Sequence, residues 1–391
     1  MIRILTAKRV EKGVFVRIRR DGIERETVFH RFWLADNCDS SVRFEGNSQK
    51  HTNAPDRFVR TVDFDDRKIR VKWEDEGTSE FDVMWLSKYV THEEDNSKMK
   101  KTTIPNFRDY KDVLENPDPF TFEDVYENGL GILKNVPTNV DVREHLTRLT
   151  LGPTSHNALY GDTFAVVDKG KKKAENVAYT NVALALHQDL AYYESPPGLQ
   201  ILFCLKQSDN GGESTFADAH AAAESLRIKD PDAFRVLLKE KCTFQKIHDL
   251  REVPARYIYR RPHIELNDKG LVNAVFWSPP FEGPFMSSLS SSFDNEEDSA
   301  IVVENYYHAY RSFREEILRH QVQVRLSPGD MAIWNQRRVL HGRNSFEGGE
   351  RHMQGAYVNI DDFASRVRKC ANWNGFECGN DVLFGNRGNC G

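Results

Sequence analysis

The chain has 391 residues, of which 39% are hydrophobic and 29% are charged, and its formal net charge is -5. This length provides for one large domain with a smaller one, or for two to three average domains. No apolar run approaches the ~20 residues that a membrane-spanning helix needs, and the weakly acidic charge offers no basic face to nucleic acid. We therefore expect a globular protein with neither a membrane nor a nucleic-acid partner.

The cysteines favour an intracellular protein with reduced thiols. They are scattered and include no CxxC pair: Cys38, Cys204, Cys242, Cys370, Cys378 and Cys390. The N-terminal stretch MIRILTAKRVEKGVFVRIRRDG has no acidic residue before Glu11, which raises a mitochondrial presequence as an alternative. Because residues 13–20 alternate apolar and basic side chains as a strand does, we favour the cytoplasm.

The first predicted domain, residues 1–92, is rich in strands. GVFVRIRR, ETVFHRFWLADNC and KIRVKWEDEGTSEFDVMWL alternate apolar and polar side chains and are separated by turn residues. The polar, charged residues that follow predict a linker over 93–108.

The second predicted domain, residues 109–391, begins with helical segments and becomes mainly strands from about residue 176. FTFEDVYENGLGILKNV indicates a helix and then a strand, and VDVREHLTRLT has apolar residues at helical spacing. Two further helical segments interrupt the later strands, HAAAESLRIKDPDAFRVLLKE and AIVVENYYHAYRSFREEILR. This order predicts an all-β sandwich or jelly roll decorated with helices, rather than regular βαβ alternation.

The segment LALHQDLAYYESPPG, residues 184–198, carries two polar side chains on an apolar strand. Residues i and i+2 of a strand face the same side, so His187 and Asp189 can present a nitrogen and an oxygen to one point. The segment LHGR offers His341 as a third ligand near the end of another strand. Two histidines and one carboxylate suit non-haem iron(II) with open positions for dioxygen.

The pair His263 and Glu265 forms a competing motif of nearly the same pattern. Context favours the first pair, because Arg351 follows His341 across the turn sequence EGGE and returns toward the same end of a barrel. A guanidinium there is suited to hold a carboxylate with two hydrogen bonds.

These residues, together with FWLADNC, NVAYTN, HQDLAYYESPPGLQILFCLKQS, GGESTFAD, LSPGD and RHMQGAY, resemble a known family. They are similar to the iron(II)- and 2-oxoglutarate-dependent oxygenases of the taurine dioxygenase type, and within them to the γ-butyrobetaine dioxygenases. The resemblance covers most of the chain. It implies a double-stranded β-helix catalytic domain after a small β-rich N-terminal domain.

The resemblance also implies roles for individual residues. His187, Asp189 and His341 would bind iron(II), and Arg351 would bind the distal carboxylate of 2-oxoglutarate. Ser214 would assist Arg351, and Leu202 would pack against the cosubstrate; as alternatives, Ser214 satisfies its own turn and Leu202 belongs to the core.

The substrate of the similar family is a quaternary ammonium carboxylate, which aromatic rings bind by their faces. Matching cage positions are Tyr160, Phe164, Tyr179 and Tyr357, and Asn176 would hydrogen-bond the substrate carboxylate. Tyr357 lies an even number of residues after Arg351, so both face inward unless Gly355 introduces a bulge. Aromatic residues in strands are otherwise most often core residues.

The sequence departs from the family pattern in three respects. Animal members bind zinc in the N-terminal domain through closely spaced cysteines, but here only Cys38 remains, so we expect no zinc there. Leu190 replaces a tyrosine of some members, and Ser278 in FWSPPFEGP stands where a second amide would contact the substrate carboxylate. Both changes weaken the assignment of the substrate.

The resemblance implies hydroxylation of γ-butyrobetaine to L-carnitine, coupled to conversion of 2-oxoglutarate to succinate and carbon dioxide. Ascorbate would serve as the reductant, and the small-molecule substrate would be the main partner of a homodimer. Two alternatives stay open. One is trimethyllysine or another betaine or small carboxylate as substrate, and the other is a catalytically silent protein that binds betaines or carboxylates.

Overall fold

The structure is a computed structural model. It describes residues 2–38, 57–89, 105–156, 159–167, 180–249, 254–268, 270–285 and 296–374. The predicted site residues Asn176 and Tyr179, and residues 93–104 of the predicted linker, lie outside the described residues. The chain divides into two compact units, within residues 1–97 and 98–374. No helix in the described ranges is long and apolar enough to cross a membrane.

The first unit contains two three-stranded antiparallel sheets. In chain order its elements are β1 (Ile2–Val10), β2 (Gly13–Arg20), β3 (Ile23–His30), α1 (Arg31–Asp36), β4 (Val59–Phe64), β5 (Lys68–Trp73), β6 (Thr78–Asp82), α2 (Val83–Leu86) and a 3-10 helix (Ser87–Tyr89). Alternation in β2 buries Val14, Val16 and Ile18 on one face. The predicted strand ETVFHRFWLADNC ends at His30, after which α1 begins. The His30 side chain accepts a hydrogen bond from Phe32 N and caps this helix.

The second unit holds the remaining elements. In chain order they are β7 (Asn106–Asp109), α3 (Tyr110–Glu115), a π-helix (Phe120–Glu127), β8 (Leu130–Lys134), α4 (Val142–Arg148), β9 (Thr163–Val167), β10 (Leu184–His187), β11 (Leu199–Lys206), β12 (Asn210–Gly211), β13 (Ser214–Asp218), α5 (Ala219–Lys229), α6 (Pro231–Lys239), β14 (Lys241–His248), β15 (Ala255–Pro262), β16 (Ile264–Leu266), β17 (Val272–Val275), a 3-10 helix (Pro279–Phe281), α7 (Glu296–Arg319), β18 (Gln321–Val324), β19 (Met331–Asn335), β20 (Val339–Arg343), β21 (Phe346–Glu347), β22 (His352–Val358) and α8 (Ile360–Asn374). Strand β7 falls at the end of the predicted linker and pairs in parallel with β8. The predicted domain boundaries stay a prediction.

Two sheets of the second unit form the predicted double-stranded β-helix. The larger sheet has the order β7-β8-β19-β11-β22-β9, and the smaller has the order β10-β20-β13-β18. Phe216 of the smaller sheet packs edge-on against Trp334 of the larger sheet, with ring centroids 5.3 Å apart. Both side chains are almost fully buried, so the core of the unit lies between the two sheets.

Helices α5, α6 and α7 pack together in a second hydrophobic cluster that includes Leu340 of β20. The predicted segment HAAAESLRIKDPDAFRVLLKE is two helices, because Pro231 starts α6 and cannot continue α5. Asp218 caps α5 by accepting from His220 N and Ala221 N, and it also forms a buried ion pair with Arg338 at 2.7 Å. The end of β13 is thereby fixed beside β20, the strand that carries His341.

Candidate active site

Three side chains of ligand type converge where β10 and β20 pair. His187 ends β10 and lies directly opposite His341 in the register, with ring centroids 4.2 Å apart. Asp189 follows the strand, with Oδ1 3.3 Å from His187 Nε2 and Oδ2 3.9 Å from His341 Nε2. One ligand atom from each residue lies within 4.8 Å of the other two, so one ion could contact all three.

The protonation of these groups fits a metal site. Nδ1 of His187 lies 2.9 Å from the carbonyl oxygen of Ala185. A carbonyl can only accept, so Nδ1 donates this hydrogen bond and Nε2 is the nitrogen that faces Asp189 and is positioned for a metal. Nδ1 of His341 is buried without a hydrogen-bond partner in the described part of the chain. Burial and the neighbouring His187 lower the pKa of His341 to about 3, so the imidazole is neutral, as a metal ligand must be.

The carboxylate of Asp189 is held ionised and in one orientation. Burial by itself raises its pKa, but the neighbouring His187 and His341 and the hydrogen bond from the Tyr357 hydroxyl outweigh this and hold the pKa well below its usual range. Gln200 Nε2 and the Tyr357 hydroxyl donate to Oδ2 at 2.6 and 2.8 Å. The other carboxylate oxygen, Oδ1, accepts neither of these hydrogen bonds and faces His187. Two imidazole nitrogens and one carboxylate are the donor set of non-haem iron(II) sites that activate dioxygen.

A cavity with about 620 Å³ of empty space, which includes its opening to solvent, lies beside these three side chains. Every predicted site residue that the structure describes lines it: His187, Asp189, His341, Arg351, Ser214, Leu202, Tyr160, Phe164 and Tyr357. Gln200 and Arg343 also line it, and neither was predicted. A buried glutamine must find a partner, so the amide in the apolar strand GLQILF was the available signal for Gln200.

Arg351 brings a buried positive charge to this cavity. Its side chain is 4% exposed, and its Nε has no hydrogen-bond partner among the described residues. Burial, with a further contribution from Arg343, lowers the pKa of Arg351 to about 10. The guanidinium stays charged at neutral pH, and an anion in the cavity would compensate that charge. A carboxylate matches its forked geometry.

Three aromatic rings form one wall of the cavity. Ring centroids of Tyr160 and Phe164 are 5.8 Å apart, and those of Phe164 and Tyr357 are 5.0 Å apart in a stacked arrangement. The register of β22 against β11 is unbroken from Met353 to Val358, so Gly355 introduces no bulge and Tyr357 faces the cavity. A Cβ at Gly355 would lie 2.3 Å from the Phe164 ring, so this position has to be glycine for the wall to form.

The competing motif and the positions that depart from the family pattern do not line the cavity. His263 and Glu265 are not among the described residues that line the cavity. Ser278 also does not line it, and its hydroxyl donates to the Gln188 carbonyl at 2.8 Å, which holds the segment after β10 instead of contacting a substrate. Leu190 is buried with φ of 59°, a left-handed conformation that is unfavourable for leucine. The chain turns away from β10 at this residue.

Comparison with known proteins agrees with this geometry. Residues 107–357 match the family "Taurine catabolism dioxygenase TauD, TfdA family". The γ-butyrobetaine dioxygenase of Pseudomonas sp. (strain AK-1) is 30% identical over 88% of this chain and 90% of its own length. The human enzyme of that name is 28% identical over 88% and 92%. Human mitochondrial trimethyllysine dioxygenase is 26% identical over 87% and 82%.

A solved structure of asparagine oxygenase with Fe(II), hydroxyasparagine and succinate has a TM-score of 0.48 and 17% identity, over 64% of this chain and 80% of that one. The β-helix and the family match define the protein as an iron(II)- and 2-oxoglutarate-dependent dioxygenase. The chain belongs to the taurine catabolism dioxygenase TauD, TfdA family.

Proposed function

We propose that the protein hydroxylates γ-butyrobetaine to L-carnitine while 2-oxoglutarate is converted to succinate and carbon dioxide. The wall of stacked rings next to Asp189 is the observation that carries this proposal. Tyr357 belongs to that wall and also donates to the Asp189 carboxylate at 2.8 Å. A trimethylammonium group held by these rings would therefore lie close to the iron ligands.

In this proposal His187, Asp189 and His341 hold iron(II), which when bound supplies the activation of dioxygen coupled to decarboxylation of 2-oxoglutarate. Arg351 holds the distal carboxylate of 2-oxoglutarate, and Ser214 and Leu202 border that end of the cavity. The buried surroundings exclude water from the reacting centre, and the fixed side chains orient both small molecules.

The ring wall supplies the recognition that a quaternary ammonium needs. This group cannot donate a hydrogen bond, and each ring face contributes roughly 0.5 to 2 kcal/mol to its binding. Tyr160, Phe164 and Tyr357 provide three faces. We propose that Tyr179 completes the cage and that Asn176 binds the substrate carboxylate; both lie outside the described residues.

Trimethyllysine is the second candidate substrate, since one of the similar enzymes is a trimethyllysine dioxygenase. Its α-ammonium group needs an acidic partner. Asp189 is the acidic side chain among the described residues of the cavity, and we assign it to iron. This assignment favours γ-butyrobetaine. A silent binding protein has no need of three ligand atoms gathered within 4.8 Å.

Succinate formation tests the proposal. The purified protein is incubated with iron(II), ascorbate and 2-oxoglutarate, together with γ-butyrobetaine, trimethyllysine or no substrate. We expect γ-butyrobetaine to stimulate succinate formation most. Stimulation by trimethyllysine alone would reject γ-butyrobetaine as the substrate. If no succinate formed under any condition, the proposed hydroxylase activity would be rejected.

Two variants test the residue roles in the same assay. Asp189→Ala should abolish turnover, and Tyr357→Leu should mainly raise KM for γ-butyrobetaine. The matched control is Tyr307→Leu, which changes an exposed tyrosine of α7 and should leave both constants unchanged. The homodimer and the cytoplasmic location stay predictions, which light scattering and cell fractionation can test.

A further inference from the structure

A second group of ligand-type side chains is buried in the second unit, outside the cavity. Cys242 lies on β14, His263 lies between β15 and β16, and Glu282 follows the 3-10 helix. One ligand atom from each lies within 4.8 Å of the other two. Cys242 is 2% exposed and His263 is 0% exposed. The catalytic proposal uses none of them.

Backbone contacts hold these three positions together. Phe244 of β14 forms a β-bridge with Glu282, and Gly283 N donates to the Thr243 carbonyl at 2.8 Å. Phe276 N donates to the His263 carbonyl at 2.8 Å. The three side chains are thus fixed relative to one another before any ligand binds, which lowers the entropy cost of binding.

The tautomer of His263 makes Nε2 the nitrogen that can bind a metal. Nδ1 lies 2.8 Å from the Phe276 carbonyl oxygen, which can only accept, so Nδ1 carries the proton. A backbone carbonyl in this position orients metal-binding histidines in the same way. Nε2 keeps its lone pair and lies 2.9 Å from the hydroxyl of Tyr306, which donates to it.

The carboxylate and the thiol each contact a tyrosine of α7, and the Glu282 side chain hydrogen-bonds with Tyr310. Glu282 Oε1 is buried without a hydrogen-bond partner in the described part of the chain. The Cys242 thiol makes a long contact of 3.6 Å to the Thr243 carbonyl and also hydrogen-bonds with the Tyr306 side chain. Burial raises the pKa of Cys242 to about 12 and of Glu282 to about 7, and it lowers the pKa of His263 to about 4. Without a cation, the neutral forms are favoured.

We infer that Cys242, His263 and Glu282 form a second metal site, structural in role, for zinc or a similar borderline divalent cation. Thiolate, imidazole and carboxylate are the ligands that zinc takes in proteins. One thiolate, one carboxylate and one neutral imidazole around a divalent cation carry no net charge, which suits a buried site.

Binding releases the thiol proton to solvent, and the carboxyl proton where it is present. The Tyr306 hydroxyl, 2.9 Å from Nε2, would have to leave this nitrogen and would then be available for a fourth position. The metal would join β14, the segment after the 3-10 helix and α7. The expectation of no zinc at Cys38 is unaffected, because that concerns the first unit.

Cobalt(II) distinguishes this site from the catalytic one. A thiolate bound to cobalt(II) gives a near-ultraviolet charge-transfer band, and the triad of His187, Asp189 and His341 contains no sulfur. The full-length protein is stripped with a chelator under reducing, anaerobic conditions and titrated with cobalt(II). We expect one equivalent of cobalt(II) per chain to develop this band and zinc to remove it. Absence of the band in the wild-type protein overturns the inference.

Variants assign the sulfur. Cys242→Ala should lose the band, and the matched control Cys38→Ala, another buried cysteine, should keep it. The opposite pattern would place the thiolate site in the first unit and reject the inference. If Cys242→Ala does not fold, Glu282→Gln keeps the thiol and should weaken cobalt(II) binding at least tenfold. Unchanged affinity in that variant overturns the inference, and the succinate assay of the proposed function is independent of both outcomes.

Discussion

Replacing Arg351 with methionine should stabilise the ligand-free protein and weaken 2-oxoglutarate binding at the same time. The guanidinium is buried, and burial lowers its pKa well below the ordinary value of arginine, to about 10. At ~1.4 kcal/mol per pH unit, this corresponds to about 3 kcal/mol of unfavourable free energy for the buried charge. Methionine fills a similar space without a charge, so the free energy of unfolding should rise by up to about 3 kcal/mol.

The same substitution removes the proposed partner of the cosubstrate. Losing one side of a buried, hydrogen-bonded charge pair costs about 2 to 5 kcal/mol. The Kd of 2-oxoglutarate should therefore rise by roughly 30-fold to several thousandfold. Arg351→Lys keeps the charge and loses the fork, so its affinity should lie between those of the wild type and Arg351→Met.

Thermal unfolding with and without 2-oxoglutarate, under anaerobic iron(II), measures both effects. The control is Arg343→Met, because the Arg343 guanidinium donates to the carbonyls of Thr180 and Val182 at 2.6 and 2.7 Å. Its loss should lower the melting temperature of the ligand-free protein. If Arg351→Met also lowers that temperature and leaves the 2-oxoglutarate affinity unchanged, the reasoning about an uncompensated buried charge is wrong.

Three further substitutions test other contacts. Tyr357→Phe keeps the ring and removes the hydroxyl that donates to the proposed iron-binding aspartate, so iron titration should show about tenfold weaker binding, and the KM for γ-butyrobetaine should rise less than in Tyr357→Leu. Gly355→Ala places a Cβ 2.3 Å from the ring of Phe164, and steady-state kinetics should show a rise of roughly 2- to 30-fold in KM for γ-butyrobetaine; an unchanged KM would exclude that ring from the cage. Asp218→Asn leaves the charge of Arg338 in the core without its ion-pair partner, and urea unfolding should report a loss of about 3 to 5 kcal/mol; a loss below 1 kcal/mol would contradict it.

The fold could be predicted where the strands are strongly apolar. Strands β11 and β19 consist mainly of buried apolar residues, and the predicted jelly roll is confirmed. The spacing of His187 and Asp189 indicated that both side chains face the same side of a strand. It did not indicate which residue lies opposite them. The register that sets His187 opposite His341 comes from long-range pairing, which no local pattern contains.

What the sequence did not reveal depends on contacts between distant segments. The hairpin of β14 and β15 was not predicted, although it carries Cys242 and leads to His263. The competing motif paired His263 with Glu265, whereas the structure brings a ligand atom of His263 within 4.8 Å of one of Glu282. Three ligand-type residues on separate segments form no recognisable spacing, so only the fold brings them together.

Gln200 and Tyr357 connect the ring wall to the proposed metal centre. They are cross-strand neighbours on β11 and β22, and both donate to the same oxygen of Asp189. The carboxylate therefore fixes the Tyr357 ring by its hydroxyl, and the ring is ordered during folding instead of during substrate binding. Such preorganisation lowers the entropy cost of closing a cage around a cation. It also makes the position of the substrate depend on the same carboxylate that would hold the iron, so a change at either end should alter both.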